Sequence, residues 1–202
     1  MEHYYTENST VGHDLATIEY RIGEGVLTLT TDAGVFSKKR VDFGSMLLIK
    51  TVPTNIEGTV LDMGCGYGPI GLSIAYLNPN SKVTMVDINN RAVDLAKLNA
   101  KSNHVTNVEV IQSDGYSNVT GSFDRILSNP PIRTGKKVIY PLFEKSYEYL
   151  NRGGEFYIVI QKKQGAESAK KKIQEVYGNC DVVVKDAGYW ILRAKKENEL
   201  SN

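Results

Sequence analysis

Cysteine and histidine are scarce in this chain: two of the first, Cys65 and Cys180, and three of the second, His3, His13 and His104. Two thiols are too few for a disulfide framework, and none of the five residues falls at a zinc-type spacing, so no metal is expected. Long apolar runs are missing too. The best of them, residues 46–49 and 156–160, fall far short of the ~20 residues of a membrane helix. The first five residues are neither basic nor apolar, which argues against a secretory signal; the expected location is the cytoplasm, with no membrane partner. An excess of charge is absent as well. Lys and Arg number 24 against 23 Asp and Glu, a formal net charge of +1. That excludes a wholesale basic coat for nucleic acid and leaves room for a local patch. At 202 residues the chain has the length of one domain with a proper core.

The charges that are present are unevenly placed. Residues 1–35 hold six acids and one base, Arg21, whereas residues 129–172 hold ten bases and four acids. Residues 17–22 and 26–31 are β-prone and separated by Gly-Glu-Gly, the pattern of a hairpin. Asp42 then precedes an apolar stretch, 46–49, that reads as a short helix stopped by Pro53. Residues 1–52 therefore form an expected N-terminal β extension and lead-in helix. From residue 59 strands and helices alternate: strands are expected at 59–63, 82–86, 108–111, 124–127 and 155–160, and helices at 69–77, 90–103, 138–150 and 164–177. This predicts an α/β fold, doubly wound and mostly parallel, with helices on both faces. Two last strands, 181–184 and 189–194, are joined by four residues, too few for a crossover helix, and should pair antiparallel to complete a seven-stranded sheet. The main domain is expected over 53–196, with a polar tail at 197–202.

Chemistry gathers at the strand ends. Asp62 closes the first strand and is followed by Gly64, Gly66 and Gly68, where glycine permits a sharp turn and close approach to a ligand. Gly66, Gly68 and Gly71 also match the spacing of a nicotinamide dinucleotide loop. An acid ahead of the glycines repels a pyrophosphate, however, and welcomes the cationic methionine end of S-adenosylmethionine. Asp87, at the second strand's end, is placed to accept from a ribose diol. Ile88 is suited to pack on an adenine, and Asp114 to accept from its amine. The fourth strand ends in Asn129-Pro130-Pro131. An exocyclic amine is a poor nucleophile because its lone pair is delocalised. An Asn oxygen and a proline carbonyl can accept both its protons and turn the lone pair toward a methyl group, in a loop the prolines stiffen. Arg133, Lys136 and Lys137 follow directly, and Lys162 and Lys163 follow the fifth strand, in positions suited to phosphate contact. A base inside a duplex could not reach such a site, so a flipped or single-stranded nucleotide is implied.

Together Asp62-Met63-Gly64-Cys65-Gly66-Tyr67-Gly68, Val86-Asp87-Ile88-Asn89, Ser113-Asp114-Gly115 and Ser128-Asn129-Pro130-Pro131-Ile132-Arg133 resemble class I S-adenosylmethionine-dependent methyltransferases, which have a Rossmann-like sheet. More narrowly they resemble the small-methyltransferase-domain group that includes bacterial 16S ribosomal RNA guanine-N2 methyltransferases. Gly34-Val35-Phe36-Ser37 and Asp42-Phe43-Gly44-Ser45 are similar to that group's lead-in, and the resemblance covers roughly residues 25–195. It implies that Asp62, Gly64, Gly66 and Gly68 hold the methionine part of the cofactor, Asp87 and Ile88 its ribose and adenine, Asp114 the adenine edge, and Asn129, which also borders the cofactor, with Pro130 the target amine. Pro131, Ile132, Arg133, Lys136, Lys137 and Phe36 would meet the substrate, expected to be ribosomal RNA. Two departures stand out. Ile132 occupies the place of an aromatic that stacks on a flipped base in many amino-methyltransferases, so stacking would fall to Phe36 or Tyr140. The group's best-known ribosomal enzymes also carry a second, degenerate domain copy that this chain lacks, which leaves a partner, a homodimer or a simpler substrate. Protein glutamine and adenine-N6 methylation share the Asn-Pro-Pro chemistry, and a module that binds cofactor or RNA without turnover is a further reading.

Overall fold

The computed structural model describes residues 12–32 and 40–197. Phe36 lies outside the described residues, as does the rest of the 34–37 segment.

Strands β1 (Leu15–Ile22) and β2 (Gly25–Asp32) form an antiparallel hairpin, turned at Gly23 and Glu24. Helix α1 (Phe43–Thr51) is capped by Asp42, whose side chain accepts from the Ser45 N–H at 3.0 Å, and it stops at Val52 ahead of Pro53. The second sheet contains β3 (Gly58–Met63), β4 (Ser81–Asp87), β5 (Val108–Gln112), β6 (Phe123–Ser128), β7 (Leu150–Gln161), β8 (Asp181–Asp186) and β9 (Tyr189–Lys195). Helices α2 (Pro69–Leu77), α3 (Asn90–Ser102), α4 (Lys136–Tyr149) and α5 (Ala166–Tyr177) connect them. The strand order is β5-β4-β3-β6-β7-β9-β8. The first five are parallel, and β9 runs antiparallel to both neighbours. The expected doubly wound sheet with an antiparallel end pair is the observed one.

Alternation along each strand divides the core between two faces. Val60, Tyr157, Val159 and Ile191 pack with α1, α2 and α3, while Leu61, Met63, Phe156, Ile158, Ile160 and Leu192 pack with α4 and α5. Each fully buried Leu or Ile of this kind contributes about 1.5–3 kcal/mol. The hairpin joins the first face through Leu27 and Leu29. Its β2 edge is closed by side chains one helical turn apart, one on α3 and one at its C-cap. Asn103 accepts from Thr28 N–H at 2.8 Å and donates to Thr28 O at 2.9 Å; Asn99 does the same to Thr30 at 2.7 and 2.9 Å. Asn99 also donates to Tyr67 O at 2.8 Å, which ties the hairpin to the glycine loop.

Several element boundaries differ from expectation, that of β7 by the most. Strand β7 begins at Leu150 rather than 155, directly at the end of α4. Gly153 and Gly154, expected to separate helix from strand, instead lie in an irregularity of the strand, where the β6 pairing slips between Phe123 and Arg125. A Cβ on Gly154 would lie 2.8 Å from Asn151 O and 3.0 Å from Asp124 O, so glycine is what lets the chains approach there. Helix α5 starts at Ala166, after a 3-10 turn over Lys162–Gln164.

Candidate active site

Strand β3 connects outward to β4 and its neighbour β6 connects the other way to β7, so their carboxyl ends part and leave a crevice. The two ends are held in register, Met63 opposite Ser128, and the Ser128 hydroxyl donates to Met63 O at 3.0 Å. Gly64 and Cys65 both donate backbone N–H to Val86 O, at 2.9 and 2.8 Å, which folds the glycine loop back over β4. Gly64 and Gly68 hold φ of +75° and +108°, a left-handed conformation costly for any residue with a Cβ. The crevice is a cleft of about 140 Å³, open to solvent.

Of the residues singled out from sequence, Gly64, Asp87, Ile88, Asp114, Asn129 and Pro131 line this one cleft. Val138 and Leu142 of α4 give it an apolar wall. Asp87 is buried and braces two loops: Oδ2 accepts from Gly66 N–H and Oδ1 from Asn89 N–H, both at 2.9 Å. Asp114 is exposed at the rim. Gly66 and Gly68 support the loop without lining the cleft, and so does Asp62.

Asp62 points into the interior. Its Oδ2 accepts from Gly71 N–H at 2.8 Å, and its Oδ1 is buried with no hydrogen-bond partner among the described residues. A Cβ on Gly71 would sit 2.8 Å from that same Oδ2, so glycine is needed for the contact. Burial pushes the Asp62 carboxyl up to about 7; the Gly71 N–H pulls against this and the Asp87 carboxylate adds to it. Burial likewise pushes the Cys65 thiol up, with Asp87 and Asp62 reinforcing it, which leaves Cys65 a protonated core residue.

Asn129 sits between the cleft and a second, adjoining depression and lines both. Its Nδ2 donates to Asp42 Oδ2 and to Ser45 Oγ, each at 3.2 Å. A carboxylate only accepts, so the amide nitrogen must face Asp42, and the planar group turns Oδ1 the other way. Pro130 and Ile132 line the second depression with Arg133. The Pro130 carbonyl already accepts from Ile132 N–H at 2.9 Å, leaving its second lone pair for another donor. Lys136 and Lys137 are exposed on the first turn of α4. Tyr140, the alternative expected stacker, lies instead between Lys136 and Lys172, whose Nζ atoms are 5.7 and 5.8 Å from its ring, and it lines neither cavity.

A family model described as the methyltransferase small domain matches residues 26–193. The chain belongs to the small-domain methyltransferase family. It is 51% identical over 198 residues to the uncharacterized protein YbxB of Bacillus subtilis, spanning 96% of this chain and 98% of that one. To Ribosomal RNA small subunit methyltransferase C of Erwinia tasmaniensis it is 33% identical over 182 residues, spanning 88% of this chain and 52% of the relative. The structure of the T. thermophilus 16S rRNA N2 guanine methyltransferase RsmC in complex with AdoMet and guanosine matches with a TM-score of 0.81 at 25% identity, over 94% of this chain and 52% of that one. The chain thus spans about half the length of these ribosomal RNA methyltransferases.

Like its family, this small-domain methyltransferase is S-adenosylmethionine-dependent, and the residues present suit that cofactor. An orphaned buried carboxylate oxygen on Asp62, next to the Asp87 carboxylate, makes a field that rejects phosphate and is eased by a cation. Asp62 also gives a measurable signature without cofactor. Its folded value of about 7 lies above the ordinary 3.8, so the fold favours the protonated form. The group's contribution is full below about pH 4 and is lost as pH climbs through about 7. Between those limits the chain should lose at most about 4 kcal/mol on this account. Asp62→Asn should flatten the decline, and identical melting-temperature profiles for the two proteins would dismiss the raised carboxyl.

The sequence places Asp42 and Ser45 in the lead-in motif ahead of a short helix and connects neither to Asn129. The contacts span 87 and 84 residues, and the only local signal was an Asp with a Ser three residues on, which also describes any N-cap.

Proposed function

We propose that the enzyme methylates the exocyclic N2 amine of guanine in ribosomal RNA. The observation that carries this reading is Asn129, anchored through Nδ2 at the junction of two cavities so that its Oδ1 is presented to an incoming amine. The activities named for its relatives, a small-subunit ribosomal RNA methyltransferase and a guanine-N2 enzyme with bound guanosine, support the same choice. Bound S-adenosylmethionine supplies an electrophilic methyl group on a sulfonium. In this reading Gly64, Gly66 and Gly68 shape the loop that holds its methionine end and Asp62 contributes the negative field beneath it. Asp87 takes the ribose, Ile88 packs on the adenine, and Asp114 accepts at the adenine edge. Asn129 Oδ1 and the second lone pair of Pro130 O accept the two protons of the target amine. That holds the amine nitrogen with its lone pair facing the cleft, and the rigid Pro130-Pro131 tip fixes the geometry in advance. No strong base is required, because the amine proton becomes acidic only as the new bond forms.

The test is incubation with labelled cofactor and, separately, small ribosomal subunits, naked ribosomal RNA and a protein extract, followed by digestion of the labelled product. N2-methylguanosine is the expected product; label in N6-methyladenosine or in a methylated glutamine would assign the enzyme elsewhere.

Arg133, Lys136 and Lys137, exposed around the tip, are proposed to contact RNA phosphates. Replacing all three with Gln should weaken binding of a ribosomal RNA fragment and reduce the slope of log affinity against log salt by about 2–3. An unchanged slope in fluorescence anisotropy titrations would make them ordinary solvated lysines and arginine.

A further inference from the structure

The depression on the far side of Asn129 differs in character from the cleft. Its walls include Asp42, Arg133, Gln161, Gln164 and Tyr189, drawn from the ends of β6 and β7, the start of α1 and the β8–β9 hairpin. Tyr189 stands opposite Gln161 in the β7–β9 ladder and pairs with the half-exposed Phe43, ring centroids 5.3 Å apart. A Cβ on Gly44 would come within 3.1 Å of the Tyr189 ring, so the bare glycine of Asp42-Phe43-Gly44-Ser45 is what seats this aromatic beside Asn129. Lys162 and Lys163 border the adjoining surface with Gln161 and the β8–β9 turn.

Asp42 has an asymmetric carboxylate. The cap bond from Ser45 N–H and the bond from Asn129 Nδ2 both fall on Oδ2, at 3.0 and 3.2 Å. Oδ1 has no hydrogen-bond partner among the described residues, and the residue is exposed. An acceptor that cannot donate therefore stands next to the amide that is to receive the amine. The bases differ at this very place. Beside its exocyclic amine guanine carries N1–H, a donor, whereas adenine carries an unprotonated N1, an acceptor. A carboxylate satisfies the first and repels the second, and once a bound base covers Asp42 such a mismatch discriminates more strongly than a missing apolar contact.

We propose that this depression seats the acceptor guanine, with Asp42 Oδ1 accepting from N1–H and Tyr189 serving as its stacking surface in place of the aromatic missing at Ile132. The assignment rests on the guanine-N2 reading and adds to it the residue that selects the base. It makes Asp42 a specificity determinant as well as a helix cap.

Three ribonucleosides separate the possibilities: guanosine (amine and N1–H), inosine (N1–H without the amine) and 2-aminopurine riboside (amine without N1–H). Their binding to the protein loaded with S-adenosylhomocysteine can be ranked by saturation-transfer NMR. The wild type should bind guanosine and inosine at least tenfold more tightly than 2-aminopurine riboside. Equal binding of all three, or binding of 2-aminopurine riboside alone, overturns the proposal without any variant. In Asp42→Asn the amide oxygen keeps the cap and the Asn129 contact, since Asn caps as well as Asp, and places a donor where Oδ1 was. The order should then invert, and transfer to guanine in ribosomal RNA should fall by roughly 100-fold with an unchanged melting temperature. Tyr189→Leu should weaken guanosine and inosine alike, by about 5- to 100-fold. If the wild type labels guanine but Asp42→Asn keeps both rate and order, Asp42 is not the selector and the guanine reading survives. If the wild type labels no guanine at all, both fall together.

Discussion

Asn129→Ala should stop methyl transfer while S-adenosylmethionine still binds. The amine of guanine has its lone pair spread into the ring, and the protein's contribution is to hold that nitrogen in one orientation. Asn129 is built for orientation: its Nδ2 is fixed by Asp42 and Ser45 at 3.2 Å each, so its Oδ1 is aimed before a substrate arrives. Loss of one preorganised polar contact to reacting atoms typically costs 10²–10³ in turnover, about 2.7–4 kcal/mol. Loss of the alignment that goes with it adds to this. The two bonds to Asp42 and Ser45 disappear as well, at about 1–3 kcal/mol of stability, so a melting curve must accompany the assay. Asn129→Asp offers no rescue, because its carboxylate would face Asp42 with no proton to donate. Calorimetry with S-adenosylhomocysteine should give a wild-type affinity for Asn129→Ala. Turnover within tenfold of wild type would remove Asn129 from the reaction.

What was legible in the sequence follows from how local each signal is. Helix α2 was readable to the residue, Pro69–Leu77, because a proline at the first helical turn follows a left-handed glycine. The strand ends were readable too: Gly64, Asp87, Ile88, Asp114, Asn129 and Pro131 meet in one cleft because parallel strands deliver their carboxyl ends to one edge. The direction of a side chain at such an end was not. Asp62 lies on the face of Val60, toward α2 and Gly71, while Met63 turns to the other side and reaches the cleft; one step along the pleat decides between lining and support. The start of β7 was misplaced because Gly153-Gly154 carries the same signature as a turn and is in fact an irregularity within a ladder. Contacts of long range left no trace in spacing. Asp42 with Asn129, Asn99 with Tyr67, and Tyr189 with Phe43 become neighbours only once the sheet is ordered β5-β4-β3-β6-β7-β9-β8.

Asp87→Ala should have the other large effect, of the opposite kind: cofactor binding lost at its origin. The carboxylate accepts from Gly66 and Asn89 N–H groups at 2.9 Å, so it holds the glycine loop and the β4–α3 loop at a fixed separation. It also lines the cleft at the position proposed for the ribose. Removing it strands two backbone donors, at about 1–3 kcal/mol each. Part of that cost is returned, because the Asp87 charge is one of the causes raising Asp62; without it the Asp62 carboxyl should titrate below about 7, and the pH-dependent loss of stability should shift to lower pH with it. Binding and folding are separable by linkage. At 100 times its dissociation constant a ligand stabilises the native state by about 2.7 kcal/mol, so S-adenosylhomocysteine should raise the melting temperature of the wild type by several degrees. It should raise that of Asp87→Ala not at all. Asp87→Asn is expected to fare little better, since its amide nitrogen would have to face one of the two N–H donors. A variant that is destabilised but still shows the full ligand-induced rise would make Asp87 a brace for the loops alone. A variant that loses the rise and keeps most of its unliganded stability would assign the carboxylate chiefly to the cofactor.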